Sequence, residues 1–133
     1  MIFLLKVLCC FIIYRIVYYL NNEKNWGSVK ASSFIALIIG TIYEILIHYN
    51  FHLEILKHYI LIMMGATFMG MISKEHGHKY IDCLISSFIF CVLYQNISPI
   101  FNGLGGLLGT IACISVLCIF GIERLINIKK EPL

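Results

Sequence analysis

The chain has 133 residues, 60% of them hydrophobic and 13% charged, with a net charge of +3 and a mean hydropathy of +0.90. So much apolar surface exceeds what a single water-soluble domain of this length can hide, and a bilayer is the solvent that accepts it. The basic residues are scattered between apolar runs and form no stripe, which argues against a nucleic-acid partner.

The fold class to expect is all-α: a polytopic integral membrane helix bundle in one domain, 1–133. A spanning helix needs about 20 mostly apolar residues. Apolar runs of that kind lie at about 2–20, 31–49, 58–73, 81–97 and 104–122. The first holds two charges, Lys6 and Arg15, so it either spans or lies flat at the interface, giving five crossings or four. No basic segment precedes it and no small-residue cleavage site follows it, which sets it apart from a signal peptide. The polar stretch "NNEKNWGSVK" (21–30) separates it from the second run, and "KEHGHK" (74–79) separates the third from the fourth. "NISPIFNGLGG" (96–106) carries a proline and flexible glycines that stop one helix and start another. The third run is short, about 24 Å at 1.5 Å per residue, and a start nearer Ile55 would help it.

Counting basic residues by side orients the bundle. With five crossings, one side carries Lys24, Lys30, Lys74, Lys79, Arg124, Lys129 and Lys130, and the other Lys57 and the nearby Lys6. The first set is therefore expected in the cytoplasm, with the N-terminus outside a cell membrane and the C-terminus inside. Arg15 lies near the cytoplasmic end of the first helix, where it can snorkel beside Tyr18 and Tyr19.

The stretch "TIYEILIHYNFHLEILKHY" (41–59) brings Glu44, His48, His52, Glu54 and His58 to the outer end of the second and third helices. Stepping back from Glu44 by four gives Gly40, Ala36 and Ser32, a small-residue stripe suited to close helix contact in lipid. That stripe is expected to face protein and to carry Glu44 inward, one turn below His48. An intramembrane carboxylate must be neutral, paired or hydrated, so Glu44 is either a proton- or cation-handling group or a satisfied buried acid. His48 and His52 have the i, i+4 spacing of a shared metal, but Asn50 lies between them and no H-E-x-x-H pattern is present. The polar end of a hairpin is the better reading of His52, Glu54 and His58, and of "HGH" at 76–78. No metal site is expected.

Gly105 and Gly109 form a G-x-x-x-G pair, extended by Cys113, and Gly65, Ala66 and Gly70 cluster in the third helix. With Gly40 they read as close packing within or between chains. A loosely wound segment at Gly103, Gly105 and Gly106 beside Pro99 is the sharper alternative. "SSFI" opens both the second helix (32–35) and the fourth (86–89), as a duplicated two-helix hairpin would. The fourth helix adds Cys83, Ser87 and Cys91 on one face. The six cysteines all lie in apolar runs, where they act as small hydrophobes, and no C-x-x-C spacing occurs.

These features suit a small, oligomeric transport or channel-type protein moving a proton, a small cation or a small solute. A non-catalytic integral subunit or anchor of a larger membrane complex fits the short loops equally well. Enzyme chemistry is not expected, since no acid pair, Ser/His arrangement or phosphate-binding run is present, and no cofactor is called for.

Overall fold

The computed structural model describes residues 1–48, 54–73, 79–97 and 105–130, the side chains of 54–56, 105 and 127–130 excepted. The chain forms helices α1 (Ile2–Asn22), α2 (Ser28–His48), α3 (Glu54–Met69), α4 (Tyr80–Asn96) and α5 (Gly105–Lys130), with no strand among the described residues. Large apolar side chains stand on their outer surfaces throughout, among them Leu4, Leu8, Ile12, Leu37, Ile42, Ile45, Leu84 and Leu117. Isoleucine-rich, apolar on nearly every side, such helices are stable where lipid covers them. α1, α2 and α5 are each long and apolar enough to cross a membrane.

Four helices stand at the corners of a bundle in the spatial order α1, α3, α5, α4, and the α3–α4 diagonal touches only lightly. α2 lies outside this square, laid against α1 and α3. The core between the corner helices is filled by Tyr14, Ile62, Met69 and Phe90, all fully buried. At one end of the bundle, the Asn21 and Asn22 side-chain amides both donate to the Ile72 carbonyl, at 3.2 and 3.0 Å. At the other, the Tyr59 hydroxyl donates to the Ile2 carbonyl at 3.4 Å. Thus α1 and α3 run parallel, and α4 runs against both.

The α1–α2 turn contains Asn25 at φ 53 and Gly27 at φ 85, both in the left-handed region that these residue types tolerate best. Trp26 then sits edge-on to Phe34, centroids 5.5 Å apart, under the Lys30 ammonium at 5.8 Å. This small cluster fixes where α2 begins, three residues earlier than its apolar run.

Two further helices differ from the expected spans. α3 covers 54–69 rather than 58–73, a slide of one turn toward its N-terminal end that brings its start close to Ile55. Gly70 ends it, where Val17 and the Tyr14 carbonyl crowd so closely that no Cβ fits. α5 continues past its apolar run to Lys130, since a helix has no reason to stop where hydrocarbon does. The two "SSFI" segments are used differently. Ser86 and Ser87 are buried in a corner helix, whereas Ser33 is exposed on the outlying one.

Candidate functional site

The side chains described within the 41–59 stretch, among them Glu44, His48 and His58, form no metal-sized cluster. His58 is exposed at the first full turn of α3, with Nδ1 3.3 Å from the Tyr94 hydroxyl of α4 and the two rings edge to face at 6.3 Å. Nearby, the Lys6 ammonium lies 5.9 Å over the Tyr59 ring. His52 lies outside the described residues, as do His76 and His78, and Glu54 is placed in α3 by its backbone alone. Among the described residues no three His, Cys, Asp or Glu side chains come close enough to share a metal ion.

Glu44 is exposed, not turned inward as expected, and His48 is exposed one turn further out. The reason is helical geometry. Each residue turns the helix by about 100°, so a step of four overshoots a full circle by about 40°. The stripe that begins at buried Ser32 passes half-buried Ala36 and Gly40 and has swung by about 120° at Glu44 and about 160° at His48. The face of α2 turned away from its own bundle therefore carries Ser33, Leu37, Thr41, Glu44 and His48, all exposed. Thr41 bonds back to the Ile38 carbonyl at 2.9 Å, and no basic group pairs with Glu44 among the described residues. Glu44 stands about 9 Å from the midpoint of α2, toward its C-terminal end.

A second polar arrangement runs along the seam between α1 and α4. Lys6, Cys10 and Tyr14 recur at four-residue spacing on α1, opposite Cys91, Ser87 and Cys83 on the antiparallel α4. The Cys10 thiol meets Cys91 and Ser87, and the Tyr14 hydroxyl lies beside Cys83 and Ser86. One helical residue further, Arg15 reaches the Cys83 sulfur at 3.9 Å. The serines satisfy themselves: Ser86 and Ser87 both donate to the Cys83 carbonyl, at 3.0 and 2.7 Å. Thr67 of α3 and Ser115 of α5 do the same within their own helices. The buried serines of this seam close on their own backbone, which is what a low-dielectric interior demands. The face Cys83, Ser87, Cys91 was legible in the sequence, but nothing in its spacing identified α1 as the helix it meets.

The glycines divide into two groups. Gly65 lies directly against the Phe90 ring, leaving no room for a Cβ, and a Cβ at Gly40 would stand 3.5 Å from the Met64 methyl, an ordinary contact. Gly109 and Gly106 have open space where a Cβ would stand. The close contact expected of Gly109 is thus not made among the described residues, where that face of α5 borders an apolar groove shared with α3, lined by Phe68, Ile72 and Val116 among others. Gly105 is placed by its backbone only. No family model, no curated protein and no solved structure matches this chain.

Proposed function

We propose that the chain is one protomer of a small oligomeric membrane assembly that moves a proton, a small cation or a small solute along a boundary between subunits. The observation that carries this reading is the exposed Glu44 on the outward face of α2. A charged side chain facing hydrocarbon costs roughly 2.5–3.5 kcal/mol at mid-membrane on insertion scales, less toward the interface. Docking that face on a neighbouring helix removes the cost and turns the same carboxylate into a hydrated or cation-bound group. The centre of the chain is filled by Tyr14, Phe90, Ile62 and Met69, which favours a path outside the four-helix square.

In this reading the chain crosses a cell membrane five times, with the N-terminus outside and the C-terminus in the cytoplasm. The parallel placement of α1 and α3 and the antiparallel run of α4 support that topology. They gather Lys24, Lys30, Lys79 and Arg124 at one end of the bundle. α3 and α4, with 16 and 17 residues, reach only about 24–26 Å and suit a locally thinned bilayer.

Glu44→Gln keeps the shape and most of the hydrogen-bonding reach but removes charge and titration. Purified wild type in liposomes is expected to dissipate a proton or monovalent-cation gradient, and the glutamine variant to lose that flux while remaining folded and oligomeric. A wild type that moves nothing under either gradient ends the transport reading. A non-catalytic subunit of a larger complex then takes its place, a role the filled core suits equally well. Equal flux through both proteins would leave transport standing and remove Glu44 from it.

A further inference from the structure

We propose that the groove between α1 and the start of α4 binds one anionic phospholipid, with its phosphate on Arg15 and an acyl chain along Ile16, Ile12 and Phe11. This groove is distinct from the α2 face discussed above and does not depend on the transport reading.

The groove is shallow and open, with a volume of about 420 Å³, and Phe11, Ile12, Ile16, Leu20 and Tyr80 form most of its wall. Arg15 is its one charged lining residue. The guanidinium is held by three contacts that leave its charge uncompensated. Its carbon lies 4.0 Å from the Tyr80 ring centroid and 5.4 Å from that of Tyr18, and one nitrogen donates to the Cys83 sulfur at 3.9 Å. Among the described residues no carboxylate reaches it. The closest acid along α4, Asp82, is engaged elsewhere, accepting the Lys79 backbone N–H at 3.0 Å and lying beside Glu123. A guanidinium has five N–H donors in a planar fork that fits a phosphate with two parallel bonds. Stacked on tyrosine and bonded once to sulfur, Arg15 keeps donors for such a partner.

The order of groups along the groove selects the ligand class. At the level of Arg15 stand Lys79 and the exposed rings of Tyr19 and Tyr80, polar and aromatic groups of the kind found at headgroup depth. From there toward mid-membrane the wall is hydrocarbon, over a helical rise of about 6 Å from Arg15 to Phe11, continued by exposed Leu8 and Leu4. Charge at the interface with apolar surface beneath it is the sequence in which a phospholipid presents its own phosphate and chain. A protein helix seated here would have to bring a carboxylate to the same depth at the cost that Glu44 illustrates. On the orientation proposed above, the site opens to the cytoplasmic leaflet, where anionic lipids supply the negative surface.

The test uses full-length protein reconstituted in an equimolar mixture of phosphatidylglycerol and phosphatidylcholine, extracted in mild detergent, with retained lipid counted per protein by native mass spectrometry. Wild type is expected to retain phosphatidylglycerol over phosphatidylcholine roughly tenfold, the scale of one charge-assisted contact. Arg15→Gln should bring that ratio near unity with helix content unchanged, and Arg15→Lys should keep part of the preference. Ile12→Trp, which fills the chain half and leaves the charge, should lose the bound lipid. Equal retention of the two lipids by wild type overturns the proposal, as does an undiminished preference in Arg15→Gln. If Arg15→Gln is not recovered folded, Ile12→Trp decides, and lipid retained by that variant overturns the site. A dimer that persists without phosphatidylglycerol and is broken by Ile12→Trp would give the groove to a second copy and overturn it equally.

Discussion

Phe90 of α4 points the tip of its ring at the bare backbone of Gly65 in α3, so close that even a methyl group on Gly65 would overlap it. The pair sits on the lightly touching diagonal of the bundle, where Phe90 fills the space left by an absent side chain. Phe90 also stacks on Tyr94 at 6.4 Å and 12°, and Tyr94 in turn meets His58. The core and the outer end are thereby one continuous packing unit.

Gly65→Ala should therefore destabilise the bundle by about 1–3 kcal/mol, the cost of overpacking a filled core. Gly65→Ala combined with Phe90→Leu should recover part of that loss, because the two positions share one space. Thermal or denaturant unfolding in detergent measures both. Wild-type stability of the single variant would mean that Phe90 does not occupy this position.

The contrasting substitution is Gly109→Leu. With open space at that position, the chain should tolerate leucine within about ±0.5 kcal/mol, the ordinary range for surface changes. A large loss of stability at unchanged oligomeric mass would place another part of the chain against Gly109. A fall in mass would assign the groove beside it to a neighbouring subunit.

If α2 is the contact between protomers, its outward face should cross-link and its inward face should not. In a background with all six cysteines replaced, Thr41→Cys is expected to give a disulfide-linked dimer on mild oxidation. Ile39→Cys, buried against its own bundle, is the control and should stay monomeric under the same conditions. Cross-linking at Ile39 alone, or at neither position, would remove α2 from the interface.

Orientation is checked with single reporter cysteines and an impermeant thiol reagent on intact cells. Leu53→Cys is expected to label, and Asn25→Cys to remain unlabelled until the membrane is opened. The reverse pattern would invert the bundle, and labelling at both would place α2 on one side of the membrane.

Most of the architecture was legible in the sequence because the medium leaves few alternatives. Runs of apolar residues broken by "NNEKNWGSVK" and "KEHGHK" locate helices in lipid, where the backbone must bond to itself. Boundaries slipped only where tertiary contacts decide them, as at Gly70 against Val17, or where a helix outruns its apolar segment, as at Glu123 and Arg124. The candidate site was read less well. Glu44 is exposed rather than turned inward, because a four-residue stripe holds one face only over a turn or two. Arg15 stands beside Tyr18, as its position in the sequence predicts. Its closest ring, Tyr80, lies on another helix, and no local periodicity announces which helices become neighbours.

The seam between α1 and α4 also has a history in time. Arg15 and Cys83 are 68 residues apart, so at about 5–20 residues per second α1 waits roughly 3–14 s during synthesis before its partner emerges. Throughout that interval the flank bearing Lys6, Cys10, Tyr14 and Arg15 lacks the helix that later covers it. A nascent chain stalled before residue 80 therefore presents a half-polar α1 to whatever inserts it, and should be retained there or degraded. That flank is covered only once α4 has emerged and packed against it.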